Sequence, residues 1–156
     1  MPVTAPAQSE HVGPRCRRRR ARVEPDVLAV IAVGGIAGSA ARFKLAEALP
    51  VGSGRFPWAT FWTNVSGSFL LGFLLVLLLE RFPPTRYVRP FLATGILGAF
   101  TTMSTFMVET ALLVKDGHVA TAAGYGFGTL AAGLGLAYAG VVAARLTSRR
   151  NLREEP

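Results

Sequence analysis

Residues 91–114 read FLATGILGAFTTMSTFMVETALLV, and the middle of this stretch decides the fold. At about 1.5 Å per residue, the stretch is long enough to cross roughly 30 Å of hydrocarbon. Yet Thr101, Thr102, Ser104 and Thr105 fall at its centre, where unpaired polar groups are most costly in a bilayer. Glycine, β-branched and hydroxyl residues also make a weak helix, so we predict a break near mid-membrane.

The rest of the chain repeats the pattern of long apolar stretches. Of its 156 residues, 51% are apolar and only 17% are charged, and the charges lie between the apolar blocks. Four blocks are long enough to span a membrane, near 27–49, 57–80, 88–114 and 119–146. We therefore predict an all-α membrane protein with four transmembrane helices in one domain, residues 27–147.

The two ends of the chain differ in composition from this domain. Residues 1–26 contain RCRRRR and little apolar content, which predicts a disordered basic tail, and residues 148–156 are a short charged C-terminal tail. A nucleic-acid patch, a secretory signal and a twin-arginine signal are alternatives. We favour arginines held at the cytoplasmic face of a lipid bilayer, with no nucleic-acid partner. The only cysteine, Cys16, excludes an intrachain disulfide.

The distribution of positive charge predicts the orientation. With four spans both termini lie on one side, and that side carries 13 of the 17 Lys and Arg residues. The other side carries Arg42, Lys44, Arg55 and Lys115. By the positive-inside rule both termini are cytoplasmic, although without the arginine-rich tail the bias falls to 7 against 4.

Small and polar residues recur at helical spacing in the first two spans. Gly34, Gly38 and Arg42 lie on one face of the first span, where the glycines predict close helix packing. Arg42 either reaches the membrane surface or draws anions into a vestibule. In the second span, Asn64 belongs to a polar stripe at steps of four, and it either bonds a neighbouring helix or serves a ligand.

A break in the third span would expose two kinds of ligand group. Carbonyls freed at the end of a half-helix suit a small hard cation such as sodium. Met103 and Phe106 lie three residues apart, and the positive edge of an aromatic ring can face an anion.

Three motifs in this order, GGIAGSAARF, TNVSGSFLLGF and GILGAFTTMSTF, closely resemble the Fluc (CrcB) fluoride channels over residues 28–146. The resemblance implies an antiparallel, dual-topology dimer with two fluoride pores and a structural sodium ion at its centre. It also implies that the backbone carbonyls of Gly98 and Thr101 hold the sodium ion. The pore asparagine of the family matches Asn64.

The resemblance also assigns the remaining pathway residues. The phenylalanine pair of the family falls on Met103 and Phe106, so one expected aromatic is absent. In the fourth span, Tyr125 and Thr129 match a line of hydroxyl groups that ends here at Gly133. Because fluoride is strongly hydrated, a dry pathway must replace its water with donors. The Asn64 amide can supply some of these donors, and hydroxyls supply the others: Thr102, Ser104 or Thr105.

The predicted function is therefore passive, fluoride-selective conduction, which exports fluoride from the cytoplasm across a prokaryotic plasma (inner) membrane and lowers its toxicity. We expect no enzyme activity, since neither His11 nor His118 lies among carboxylates at ligand spacing. The partner is a second copy or an oppositely oriented paralogue, and the charge bias favours the paralogue if the arginine-rich tail contributes to the orientation.

Other functions remain open at this point. A four-helix, proton-coupled multidrug or cation exporter would need an essential acid in the first span, where only Glu47 is found, near the end. A membrane scaffold without transport is a third possibility, and a coupled antiporter could use the same anion ligands. Glu109, inside the third span, is either a proton or ion site or a hydrogen-bond partner for another helix.

Overall fold

The computed structural model describes residues 24–52, 54–80 and 86–151, with side chains up to residue 147. The predicted basic tail lies outside the described residues as far as residue 23, and so do residues 152–156 of the predicted C-terminal tail. The described residues are helical apart from short connections. In chain order the helices are α1 (Pro25–Ala48), α2 (Trp58–Glu80), a π-helix (Pro90–Leu97), α3 (Gly98–Phe100), α4 (Met103–Lys115) and α5 (Val119–Asn151).

Four helical stretches are long and apolar enough to cross a membrane. They are Pro25–Ala48, Trp58–Glu80, Pro90–Lys115 and Val119–Thr147. The prediction of an all-α protein with four spans is therefore confirmed, and the observed spans coincide closely with the predicted ones.

Proline and glycine set several of the helix ends. Pro25 and Pro90 stand in the first turns of α1 and the π-helix, where a missing N–H costs nothing. Gly117, in the turn after α4, has φ +83°, and Gly54, before α2, has φ +70°. Both values fall in the left-handed region that glycine adopts without strain, so these turns depend on glycine.

The spans pack in an interleaved order, because α1 lies mainly against the π-helix and α3. Glycines make this contact close. A Cβ at Gly34 would lie 2.6 Å from the Phe91 carbonyl oxygen, and one at Gly38 would lie 2.2 Å from the Ile96 carbonyl oxygen. The close packing predicted from this glycine pair is therefore confirmed.

The second seam joins α2 to α5. A Cβ at Gly72 would lie 2.3 Å from the Ala137 carbonyl oxygen, and one at Gly140 would lie 2.3 Å from the Phe69 carbonyl oxygen. Backbones that approach this closely gain the van der Waals contact on which helix association in membranes depends.

Polar contacts at the two ends of the bundle agree with four alternating crossings. At one end, Arg86 in the connection after α2 pairs with Glu24 and Asp26 at the start of α1. The Tyr87 hydroxyl donates to the same Asp26 carboxylate at 2.8 Å, a bond that raises the pKa of Tyr87 above its ordinary value. At the other end, the His118 ring lies against Gly54, which joins the α1–α2 and α4–α5 connections.

Candidate functional site

The site is built around the link between α3 and α4, where two residues have extended backbones. Thr101 has φ −73° and ψ 153°, and Thr102 has φ −146° and ψ 120°. The amide and hydroxyl of Thr101 both donate to the Leu97 carbonyl at 3.0 Å, which completes the preceding turn. The Thr102 hydroxyl accepts from the Thr105 amide at 3.2 Å and so caps α4. Two of the hydroxyl groups at bilayer depth therefore satisfy the backbone of the link.

Asn64 on α2 holds the same link from the side. Its Nδ2 donates to the Thr102 carbonyl at 2.9 Å, and its Oδ1 accepts from the Thr102 amide at 2.8 Å. One of the two predicted roles, a hydrogen bond to another helix, is thus present, with backbone as the partner. Since Nδ2 carries two hydrogens, one N–H remains for a ligand.

Glu109 on α4 connects three helices. Its carboxylate accepts from Thr60 of α2 at 3.0 Å and from Tyr125 of α5 at 2.7 Å. Tyr125 is fully buried, and its ring lies 5.0 Å from that of Phe106 at an interplanar angle of 52°. Of the two roles that the sequence left open for Glu109, the hydrogen bond to another helix is present.

A cavity of about 850 Å³, here called the first cavity, opens between α2, α4 and α5. Its walls are mainly apolar, and the exposed side chains of Met103 and Phe127 stand at its open side. The predicted site residues that line it are Asn64, Thr101, Thr102, Met103, Phe106 and Thr129.

Among the described residues, Thr129 is the one polar residue of this cavity whose side-chain oxygen is buried and unsatisfied. Its side-chain oxygen has no hydrogen-bond partner among the described residues, although the residue is only 8% exposed. One turn further along α5 stands Gly133, which has no hydroxyl. The Ser68 hydroxyl of α2 lies beside it, with Oγ 3.5 Å from where a Cβ at Gly133 would stand. A buried hydroxyl without a partner marks a place where a ligand could supply one.

A second cavity of about 490 Å³ lies between α1, α2 and α4. It is lined by Arg42, the predicted vestibule residue, together with Thr105 and Glu109. Thr102 lines both cavities, so the extended link separates them. The predicted site residues are thus divided between two spaces.

Some predicted residues line neither cavity. Tyr125 is enclosed and reaches the site through Glu109 and Phe106. Ser104 is exposed, with its hydroxyl 3.3 Å from that of Thr102, and Gly98 lies in α3. Five hydroxyl residues that line a cavity were missing from the predicted site: Ser39, Thr60, Thr63, Ser68 and Thr110. For Thr60 and Ser68 the available signal was the polar stripe at steps of four that contains Asn64.

The chain is similar to known proteins over most of its length. Residues 29–141 match the family model described as CrcB-like protein, Camphor Resistance (CrcB). The fluoride-specific ion channel FluC 3 of Streptomyces avermitilis is 50% identical over 86% of this chain and 66% of its own length. FluC 2 of the same organism is 44% identical over 75% of this chain and 74% of its own. The fluoride-specific ion channel FluC of Chlorobaculum tepidum is 43% identical over 75% of this chain and 93% of its own.

Proposed function

The chain belongs to the CrcB-like family, and from that premise we propose that it is a fluoride-selective ion channel that lets fluoride leave the cytoplasm passively and so lowers its toxicity. It is a multi-pass membrane protein with four spans, and the membrane proposed is the plasma membrane of a prokaryote. The family resemblance drawn from the three motifs is confirmed by the family match and by relatives up to 50% identical.

One observation supports the channel most strongly. Polar residues of three spans line one cavity, and one of them, Thr129, has a buried hydroxyl with no partner among the described residues. A small, strongly hydrated anion that enters a dry pathway needs donors of this kind in place of water. Asn64 and Phe106 line the same cavity, and an amide N–H and the positive edge of an aromatic ring are further groups of this kind.

We further propose that each pore is completed by a second chain in antiparallel orientation. The first cavity is open on one side, and large apolar side chains are exposed beside it on α4 and α5: Met103, Met107, Phe127, Leu130 and Leu134. A partner that covers this face would close the pathway from lipid and gain van der Waals packing against these side chains. The partner is this chain itself or an oppositely oriented paralogue, and two relatives named FluC 2 and FluC 3 come from one organism.

The proposal includes a structural sodium ion held by the carbonyls of Gly98 and Thr101. Helix α3 ends at Phe100 and Thr101 is extended, so these carbonyls lie at a helix C-terminus, where the helix dipole and the lone pairs favour a cation. No cluster of three or more His, Cys, Asp or Glu side chains occurs among residues 24–52, 54–80 and 86–151. When bound, the ion would supply a fixed positive charge between the two chains.

Fluoride efflux from liposomes that contain the purified protein tests this function. With valinomycin present to relieve the membrane voltage, we expect rapid fluoride efflux while chloride stays trapped. Phe106→Ala should slow efflux about tenfold, the factor produced by about 1.4 kcal/mol of lost stabilisation. Leu79→Ala is the matched control, since Leu79 is exposed near the end of α2 and outside the first cavity. A folded protein that passes neither ion, alone or with an oppositely oriented partner, contradicts the proposal.

Thr129→Val separates conduction from stability. The hydroxyl has no partner among the described residues, so an apolar group of the same shape should leave stability unchanged or raise it by about 1 kcal/mol. Fluoride efflux should nevertheless fall, because the pathway loses a hydroxyl. Thermal unfolding and liposome efflux measured on the same preparation provide the comparison. Unchanged efflux would remove Thr129 from the pathway.

A further inference from the structure

We propose that Asn64 is a positioning residue that leaves the Gly98 carbonyl available to a cation. In a continuous helix the Thr102 amide would donate to this carbonyl, but here it donates to the Asn64 side chain. The inference rests on the proposed sodium site and concerns how this chain forms it.

The hydrogen bonds around the link carry the argument. In an α-helix each N–H donates to the carbonyl four residues earlier, so Gly98 would be paired with Thr102, and Thr101 with Thr105. Both of these amides bond elsewhere. The Thr102 amide donates to Asn64 Oδ1 at 2.8 Å, and the Thr105 amide donates to Thr102 Oγ1 at 3.2 Å. Both predicted sodium ligands, the Gly98 and Thr101 carbonyls, are therefore left without the donors that a continuous helix would supply.

The change of partner starts at a defined residue. One position earlier the helical pattern is intact, since the Thr101 amide donates to the Leu97 carbonyl at 3.0 Å. The next amide, that of Thr102, is the first without the helical acceptor, and it donates to Asn64 instead. The second Asn64 bond, from Nδ2 to the Thr102 carbonyl at 2.9 Å, fixes the same residue on its other side.

Residue Gly67, one turn after Asn64 on α2, leaves room for this arrangement. A Cβ at Gly67 would lie 2.3 Å from Cγ2 of Thr101. The α2 surface therefore combines a side chain that bonds the extended link with a gap that accepts it. Together, Asn64 and Gly67 hold the link against one face of α2.

Two functions of Asn64 can be separated by substitution. Oδ1 accepts the hydrogen bond of the Thr102 amide, whereas the second N–H of Nδ2 is available to an anion in the first cavity, which Asn64 lines. Asn64→Ala removes both groups. Asn64→Asp keeps an oxygen that can accept from the Thr102 amide, and it removes both N–H groups of Nδ2, the spare one and the one that donates to the Thr102 carbonyl. Sodium binding should survive in Asn64→Asp and fail in Asn64→Ala, while fluoride efflux should fall in both.

The sequence offers a direct probe of the Gly98 carbonyl. Gly98–Ala99 is the only Gly–Ala dipeptide in the chain, so carbonyl-¹³C glycine combined with ¹⁵N-alanine gives a single directly bonded pair by NMR. In the unsubstituted protein we expect this carbon signal to shift when N-methylglucamine is replaced by sodium. In Asn64→Ala, half-saturation should require at least about tenfold more sodium, as loss of a group that orients a ligand typically causes.

The same signal tests the inference in sodium-free buffer. There, Asn64→Ala should move the Gly98 carbon toward the value of a hydrogen-bonded helical carbonyl, and Asn64→Asp should leave it in place. If Asn64→Ala leaves the sodium-free signal and the sodium titration unchanged, Asn64 does not divert the amide and the proposal is wrong. If sodium does not shift the Gly98 carbon signal of the unsubstituted protein but Asn64→Ala still moves it in sodium-free buffer, Asn64 diverts the amide and the proposed sodium site is wrong.

A second variant covers the case in which Asn64→Ala does not fold. Thr102→Val removes the acceptor of the Thr105 amide and keeps the shape of the side chain, so the amide should return to the Thr101 carbonyl. Carbonyl-¹³C threonine with ¹⁵N-valine reports on residue 101 alone in this variant, because the native chain has no Thr–Val dipeptide. Its reference is the native Thr101–Thr102 pair, the only Thr–Thr dipeptide. If the Thr101 carbonyl signal of Thr102→Val equals that of the native pair, the Thr102 side chain does not draw the Thr105 amide away from the Thr101 carbonyl, and the diversion of amides at this link is contradicted.

Discussion

Gly38→Ala is expected to destabilise the protein by about 3 kcal/mol, the upper part of the usual range for overpacking. The added Cβ would lie 2.2 Å from the Ile96 carbonyl oxygen, and also close to two other Ile96 backbone atoms. No side chain can rotate to relieve this contact, so α1 and the π-helix must move apart. Thermal unfolding of the purified protein in detergent measures the effect.

Gly35→Ala is the matched control for this substitution. It lies on the same helix, and a Cβ at this position would meet nothing within 4 Å. Since alanine is the better helix former, stability should stay the same or rise by about 0.5 kcal/mol. Equal unfolding midpoints for Gly35→Ala and Gly38→Ala would show that α1 does not pack against the π-helix through Gly38.

Glu109→Ala is expected to reduce both stability and fluoride efflux strongly. The carboxylate accepts hydrogen bonds from Thr60 and Tyr125, and Tyr125 is fully buried. Removal of the acceptor leaves two hydroxyl groups to find other partners, at a cost of about 2–3 kcal/mol. The Tyr125 ring is then no longer tied beside Phe106, so efflux should fall by at least about tenfold.

A double-mutant cycle identifies the source of this loss. If the hydrogen bond to Tyr125 accounts for much of it, Glu109→Ala and Tyr125→Phe together should cost less than the sum of the two single changes. Glu47→Ala is the control, because Glu47 is exposed in the last turn of α1. Additive losses in the cycle would show that Glu109 does not act through Tyr125.

The spans and their seams were predictable because they depend on local sequence. Four apolar stretches could only satisfy their backbones in a bilayer as helices, and Gly34 and Gly38 marked one contact face before any partner was known. The hydroxyl run at Thr101 and Thr102 indicated weak helix at the position where the backbone is extended. Length, periodicity and helix propensity carry this information.

The partners of the polar groups were not predictable in the same way. Asn64 bonds a backbone peptide 38 residues away, and Glu109 bonds side chains 49 and 16 residues away. Such pairings follow from which spans touch, and periodicity within one span does not determine that. The π-helix before the link was also missed, because its wider turn leaves no mark in a pattern of apolar residues.

The interleaved packing has a consequence for how the chain is made. Spans are synthesised in order, but α1 finds its main partner only when the third span arrives, and α2 finds its partner only in α5. Neither the first pair of helices nor the first three form a closed unit, since the α2 face at Gly72 stays bare until Ala137 has been translated. Assembly is therefore completed only when α5 is made, and a chain cut short before α5 leaves the α2 face unpaired.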